Sequence, residues 1–242
     1  MTSLSDLTLL PESHDELDHY YGNAPHGVRA NMIFTADGAA AFGGRTKPVT
    51  DEADQVLLNH LRSYADVVLV GSGTVSAENY GPVRLGDELV ARREAAGFDA
   101  LPRLAVVTGR GALDPSLRIF TGDGPRPLIV TSGDGAAANP QLAELGDVVI
   151  GGEHRVDPPV MLAALRDQGL SRVLCEGGPY LLSSLIEADA VDDICVTLSP
   201  YLAGSQPTTA QPASARLTPT RLELRHLLTR NGLLYLRYAR QI

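Results

Sequence analysis

Short apolar runs separated by polar turns dominate the first two thirds of the chain. Such runs are typical of strands buried on both faces, because a parallel sheet carries helices on either side. The predicted strands of this kind cover residues 28–35, 65–70, 103–108, 127–131, 147–150, 172–175 and 194–198. The turns between them are rich in Gly, Pro and Asp, which supports the boundaries.

Three segments have the apolar spacing of amphipathic helices. Thr50 is the expected N-cap of the first, with acidic residues in the next turn, and this helix should end near Tyr64. The second is expected to begin at Pro158 and the third at Pro179, since proline is favoured at the first helical position. Strands and helices therefore alternate along much of the chain.

The C-terminal part has a different pattern. Apolar runs at 222–228 and 233–238 flank Asn231-Gly232, a pair favoured in tight hairpins. About nine strands and three or four helices predict an α/β fold with a mixed, mostly parallel central sheet, flanking helices and C-terminal antiparallel strands. Residues 1–26 are expected to form an arm with about one helical turn, order beginning near Gly27, and residues 27–242 a single domain.

Composition narrows the class of partner. The 242 residues carry a net charge of −9 without a visible basic patch, which disfavours nucleic acid and anionic membrane surfaces and favours small ligands. No apolar run is long enough to span a membrane. Two cysteines without a paired motif indicate a reducing compartment, the cytoplasm by default. The histidines lack zinc-ligand spacing, so no metal site is expected.

Two glycine-rich turns are candidates for anion binding. Gly71, Ser72, Gly73 and Thr74 follow the second predicted strand, and Gly177 and Gly178 precede the helix at Pro179. Backbone amides in such turns can approach a phosphate closely, and two turns suit a dinucleotide. Ordinary strand-to-helix turns would have the same composition.

Charged residues near these turns are candidates for a substrate site. Asp37 follows the first strand and Glu78 follows the first glycine turn, although an Asp-Gly turn and a surface helix would also explain them. Arg45, Lys47 and Arg84 could hold an anionic substrate or be solvated surface residues.

Four segments in order carry a family resemblance: NMIFTADG at 31–38, ADVVLVGSGTVSAEN at 65–79, VLCEGGPYLL at 173–182 and DDICVTLSPYLAG at 192–204. This series resembles the riboflavin-pathway pyrimidine reductases, the reductase half of the bifunctional deaminase-reductase and its stand-alone relatives. The resemblance covers about residues 28–240 and implies a dihydrofolate reductase-like fold. It also implies NADPH-dependent reduction of 5-amino-6-(5-phosphoribosylamino)uracil to its ribitylamino form, without the deaminase zinc motif.

The resemblance implies roles for individual residues. The implied cofactor contacts are Thr50, Gly71, Ser72, Gly73, Thr74, Thr108, Gly177 and Gly178. Arg110 is a further candidate, for a 2′-phosphate, only because it lies just beyond the strand that ends at Thr108. The implied substrate side comprises Asp37, Glu78, Arg84 and Glu176, and Asn31 resembles the stand-alone form. Asp37 and Glu78 are expected to be catalytic, and Arg84 with Arg45 or Lys47 to hold the substrate phosphate.

Two positions depart from the family pattern and leave alternatives open. Ala39 stands where the family usually has Lys or Arg, and Glu78 where it usually has Asp. A reductase of the same fold acting on a pterin would use one pocket carboxylate, for which Asp37 is a candidate, against the aminopyrimidine edge. A noncatalytic NADPH-binding protein is the other alternative. A homodimer is expected from the relatives, with strand 194–198 a candidate for pairing across the interface.

Overall fold

The computed structural model describes residues 7–204 and 218–241. Across these residues nine strands form one sheet in the order β5-β4-β3-β2-β6-β1-β7-β9-β8. The strands are β1 Val28–Thr35, β2 Val67–Gly71, β3 Arg103–Val107, β4 Leu128–Thr131, β5 Asp147–Ile150, β6 Val173–Cys175, β7 Val191–Ser199, β8 Glu223–Arg230 and β9 Leu233–Ala239. From β5 to β7 in this order, each strand is parallel to the next, whereas β9 pairs antiparallel with both β7 and β8.

Helices cover both faces of this sheet. They are α1 His14–Tyr21, α2 Glu52–Ser63, α3 Ser72–Glu78, α4 Asp87–Ala95, α5 Arg118–Thr121, α6 Gly133–Ala138, α7 Leu142–Leu145, α8 Pro158–Arg166 and α9 Pro179–Glu187. The predicted fold class is confirmed, including the mostly parallel sheet and the antiparallel C-terminal strands. Asn231 and Gly232 both have positive φ, as their tight hairpin turn requires.

Strand β2 shows why the apolar runs identify the sheet. Val68 and Val70 belong to one buried cluster, together with side chains from α1 and α2. Val67 and Leu69 belong to a second cluster on the opposite face, which includes side chains from α8 and α9. Because successive strand residues point to opposite faces, a strand covered on both sides needs a continuous apolar run.

The N-terminal segment is more ordered than its composition suggests. Helix α1 contains Leu17 and Tyr21, each at most 1% exposed, and Leu10 just before it is equally buried. The prediction that order begins near Gly27 is therefore wrong, because three widely spaced apolar residues suffice to dock the segment. Residues 1–6 of the predicted arm lie outside the described residues.

Helix α4 was not predicted, because its sequence DELVARREA is mostly charged. Arg93 is only 2% exposed and donates to the carbonyl oxygens of Ser63 at 2.8 Å and Ala65 at 2.7 Å. These bonds satisfy carbonyl groups at and just beyond the end of α2. A buried arginine thus fixes the C-terminal end of the helix that borders the candidate site.

Two local predictions need correction. Asp51, not Thr50, is the N-cap of α2, since its side chain accepts a hydrogen bond from the Asp54 amide at 2.9 Å. The segment 194–198 lies in β7, which is paired with β1 on one side and β9 on the other. Its backbone groups are therefore already used, and the prediction that it pairs across a subunit interface is wrong.

A buried charge network joins α1 to the sheet. Asp193 on β7 accepts hydrogen bonds from Arg29 at 3.2 Å and from Arg237 at 2.6 Å, and the carboxylate side chain is 3% exposed. Arg29 also donates to the carbonyl of Tyr21 at 2.8 Å, at the end of α1. One carboxylate therefore compensates two guanidinium groups between three strands and a helix.

Asp193→Asn should destabilise the fold by about 3 to 5 kcal/mol, because it leaves two buried guanidinium groups without their counter-charge. Urea unfolding followed by circular dichroism measures the difference. Asp167→Asn, at an exposed carboxylate at the end of α8, is the matched control and should be close to neutral. An Asp193→Asn midpoint equal to that of the control would contradict this account.

The α1–α2 contact contains a buried histidine. His60 is fully buried, its ring stacks on His14 with centroids 5.3 Å apart, and its Nε2 lies 3.5 Å from Asp18 Oδ1. Burial, together with the neighbouring His14, lowers the pKa of His60 to about 4. Burial likewise lowers the pKa of His226 to about 4. Both rings are therefore neutral in the folded protein at pH 7.

Stability should fall as the pH drops from about 6.5 toward 4. The unfolded chain binds a proton on each histidine near pH 6.5, while the folded chain resists it until about pH 4, so acid favours unfolding. For His60 the loss is on the order of 3 kcal/mol by pH 4. Urea midpoints of wild type and His60→Leu at pH 7.5 and 5.0 test this; an equal acid-induced loss in both proteins would refute it.

Candidate active site

The carboxyl ends of the central strands meet at one edge of the sheet and bring the two glycine turns together. Strand β6 lies directly beside β2, and the Gly71 amide donates to the Gly177 carbonyl at 2.8 Å. Helix α3 begins immediately after β2 and α9 begins at Pro179. The peptide bond between Gly177 and Gly178 is cis. Two helix N-termini thus open side by side at this edge.

Glycine is required at the contact between these turns. A Cβ atom on Gly178 would lie 2.4 Å from Thr74 Oγ1, which no ordinary contact permits. Gly177 has φ of +84°, and a Cβ there would lie 3.1 Å from Met32 Sδ. Gly73, by contrast, faces open space. The turns pack against each other on one side and remain open on the other.

Gly178→Ala should cost about 1 to 3 kcal/mol of stability, because the added methyl group overlaps the Thr74 hydroxyl. Thr74→Ala in the same chain removes that hydroxyl and should recover most of the loss. Thermal unfolding of the two single variants and the double variant measures the coupling. Strictly additive effects of the two substitutions would show that the contact does not limit this position.

A cavity of about 80 Å³, open to solvent, lies next to the glycine turns. Its walls come from the middle of β1, the following loop, the first two turns of α2 and the segments just after α3 and β6. The lining residues are Asn31, Met32, Ile33, Ala40, Thr46, Thr50, Asp54, Gln55, Leu58, Tyr80 and Glu176. Three predicted site residues, Asn31, Thr50 and Glu176, therefore share one cavity.

Glu176 is held in a rigid polar cluster. Its carboxylate accepts from Arg62 Nε at 2.7 Å and Nη2 at 2.8 Å, and from the Tyr80 hydroxyl at 3.0 Å. Burial opposes the charge on Arg62, but Glu176 outweighs it and raises the pKa of the guanidinium. Burial and the Glu176 charge raise the pKa of Tyr80 well above its ordinary value. Arg62 stays charged and Tyr80 protonated, so the Glu176 charge is compensated.

Asp54 is a second carboxylate on the cavity wall. It is 8% exposed, and its two oxygens accept from the hydroxyls of Thr50 at 2.6 Å and Thr197 at 2.7 Å. Burial raises the pKa of Asp54, and the two hydroxyl bonds reduce that rise. No ion pair involves Asp54 within residues 7–204 and 218–241. Its two hydroxyl partners are neutral, whereas Glu176 is paired with the charged Arg62.

Asp37 and Glu78 hold the loop between β1 and α2 and lie outside the cavity lining. Asp37 is exposed and accepts from Thr35 Oγ1 at 2.5 Å and from the Gly204 amide at 2.8 Å. The Thr35 bond, with the backbone amides of 203 and 204, lowers the pKa of Asp37. Glu78 accepts from the Thr46 amide at 2.6 Å. Each carboxylate fixes one end of the loop.

The remaining predicted residues lie around this edge. Arg45, Lys47, Arg84 and Arg110 are exposed, and none of them lines the cavity. Ser72 and Gly73 form the first turn of α3, and Gly73 is the more exposed of the two. Thr108 is buried after β3, and its hydroxyl accepts from the Gly111 amide at 3.2 Å.

Sequence reasoning missed Arg62, Tyr80 and Asp54. Arg62 lies 114 residues from Glu176, so no local pattern links them. Tyr80 lies one residue beyond the glycine-turn motif at 65–79. Asp54 looks in the sequence like an ordinary acidic residue of the first helical turn, where the helix dipole stabilises a negative charge. A polar residue on the buried stripe of α2 was the available signal.

Comparison with known proteins shows which family this chain belongs to. Residues 26–233 match the model of the RibD C-terminal domain. This chain belongs to the RibD C-terminal domain family. Similar proteins named 2,5-diamino-6-ribosylamino-4(3H)-pyrimidinone 5′-phosphate reductase occur in Methanothermobacter thermautotrophicus and Archaeoglobus fulgidus. They are 26% and 29% identical, over 74% of this chain and 80% and 82% of their own lengths.

A solved structure agrees in shape with this chain. It is a pyrimidine reductase-like protein from Corynebacterium diphtheriae, with a TM-score of 0.79 and 28% identity. The match covers 92% of this chain and 97% of that one. Among the described residues, no cluster of three or more His, Cys, Asp or Glu could hold a metal ion, and no helix is long and apolar enough to cross a membrane.

Proposed function

We propose that this RibD-family protein is an NADPH-dependent reductase of the riboflavin pathway. Its substrate is a phosphoribosylaminopyrimidine, whose ribosylamino group it converts to the ribitylamino form. The observation that carries the proposal is the position of two abutting glycine turns beside a polar cavity with two buried carboxylates. Two pyrimidines fit this class: the uracil implied by the sequence motifs and the diaminopyrimidinone in the names of the archaeal relatives.

The glycine turns fit the phosphates of a dinucleotide. Gly178 is the N-cap of α9 and provides no side chain to cap its amides. The amides of the first turn, with the positive end of the helix dipole, favour an anion there. Gly73 leaves open space on the α3 side. Thr108 and Arg110 follow β3, two strands away, where an exposed guanidinium suits a 2′-phosphate.

NADPH would supply the hydride, and the residues of the chain would orient the substrate. A hydride added to the sugar carbon must be matched by a proton on the ring oxygen as the ring opens. The Arg62, Tyr80 and Glu176 cluster gives one cavity wall a fixed geometry, which keeps the orientation cost low. Asp37 and Glu78 act as positioning residues for the loop, because backbone amides already occupy them. Arg45, Lys47 and Arg84 would meet the substrate phosphate at the mouth.

Absorbance at 340 nm follows NADPH oxidation by the purified protein with each pyrimidine, with dihydrofolate, and with NADH as the cofactor control. We expect oxidation with at least one phosphoribosylaminopyrimidine and none with dihydrofolate. Oxidation with dihydrofolate alone would reassign the protein to pterin reduction. NADPH binding without any turnover would instead identify a noncatalytic cofactor-binding protein.

We further propose that the enzyme works in the cytoplasm as a homodimer. Its net charge of −9 and two free, buried cysteines are consistent with a reducing compartment. Since β7 is internal, a dimer must use another surface. Sedimentation of the purified chain decides between monomer and dimer.

A further inference from the structure

Asp54 is a buried cavity carboxylate with unused acceptor capacity. Each of its oxygens accepts one hydroxyl bond, from Thr50 or Thr197. An ionised carboxylate offers about four acceptor positions, so about two remain for a ligand in the cavity. Neither hydroxyl carries charge, and the Asp54 amide is already bonded to Asp51. Asp54 is thus fixed in position while its charge is left for a ligand to stabilise.

The charged groups nearest to Asp54 do not share this property. Glu176 faces Arg62 in a two-bond ion pair and also accepts from Tyr80. Asp51, at the start of the same helix, bonds the Asp54 amide and adds negative charge nearby. A ligand that donates N–H groups to Asp54 would therefore be favoured, whereas one that presents an acceptor would meet like partial charge.

The two pyrimidines of the proposed reaction present different hydrogen-bonding groups at ring carbon 2. The diaminopyrimidinone has an amino group there, next to a ring N–H, which makes two adjacent donors. The uracil has a carbonyl oxygen at the same carbon, flanked by N–H groups. Two adjacent donors match the two oxygens of a carboxylate, and a carbonyl oxygen does not. A site that rejects a mismatched polar edge can discriminate strongly, because the buried group is left unpaired.

We propose that Asp54 is a specificity-determining residue that accepts hydrogen bonds from the 2-amino edge of the pyrimidine and selects the diaminopyrimidinone over the uracil. This rests on the proposed reductase function and names its substrate. If the enzyme selects the diaminopyrimidinone, reduction precedes removal of the 2-amino group, and a hydrolytic deamination must follow to yield the uracil. Neither Asp37 nor Glu176 is as well suited, because Asp37 lies outside the cavity and Glu176 is paired with Arg62.

The test compares kcat/KM for the two pyrimidines in wild type, Asp54→Asn and the control Glu52→Gln. Glu52 is an exposed acid in the same helical turn, so its loss should change nothing. Wild type should prefer the diaminopyrimidinone by at least about 10-fold. Asp54→Asn should lower kcat/KM for that substrate by about 10- to 100-fold, mainly through KM. It should leave the uracil unchanged or improved, because an amide can donate to the carbonyl oxygen.

A second variant separates recognition from a structural role. Thr197→Val removes one hydroxyl bond that favours ionised Asp54, so Asp54 should take up a proton at a higher pH than in wild type. As the pH is lowered, KM for the diaminopyrimidinone should therefore begin to increase at a higher pH in this variant. Calorimetric binding of the two ribitylamino products should show the same selectivity without turnover. Circular dichroism confirms that each variant is folded.

The outcomes distinguish the two proposals. Turnover of both pyrimidines with equal efficiency, or an unchanged preference in folded Asp54→Asn, overturns the role of Asp54 and leaves the reductase intact. Absence of turnover and of product binding with both pyrimidines in wild type overturns the reductase proposal and this one together. A preference that is lost in Asp54→Asn and kept in Glu52→Gln supports the role of Asp54.

Discussion

The parallel pairing of the three-residue strand β6 with both β1 and β2 is the constraint on which the candidate site depends. Cys175 pairs with Ala30 on one side and Leu69 on the other. Glu176 therefore leaves the sheet between the continuing strands, and its amide still bonds the Leu69 carbonyl at 3.0 Å. Gly177, the next residue, accepts a hydrogen bond from the Gly71 amide. A displacement of β6 by one residue would turn Glu176 away from Arg62 and separate the glycine turns.

Three buried carboxylates show how this fold uses counter-charge. Asp193 has two arginines, Glu176 has one arginine and a tyrosine, and Asp54 has two hydroxyls. Asp193 lies in the scaffold, whereas Glu176 and Asp54 line the cavity. A buried charge without an opposite charge is costly, so Asp54 lowers the stability of the folded chain. Such a cost is characteristic of functional positions, where local rules are broken for binding or chemistry.

The sequence predicted what depends on local pattern and missed what depends on the order of strands. Buried strands were found because a continuous apolar run is required between two helical layers. The two glycine turns were found because each follows such a run. Tyr80 was missed because its partner Glu176 lies 96 residues away. Helix α4 was missed because its buried Arg93 bonds carbonyl groups, which leaves no apolar stripe.

The loop between β1 and α2 contains Ala39, which stands where the family pattern has a cation. The Ala39 amide and carbonyl both bond Thr35, so this position forms a tight turn. Thr46 lines the cavity, while Arg45 and Lys47 on either side of it are exposed. Exposed cations are screened by water and salt, so they speed the approach of an anionic substrate more than they tighten its binding. Discrimination between substrates that carry the same phosphate must then come from the buried part of the cavity, which Asp54 and Glu176 line.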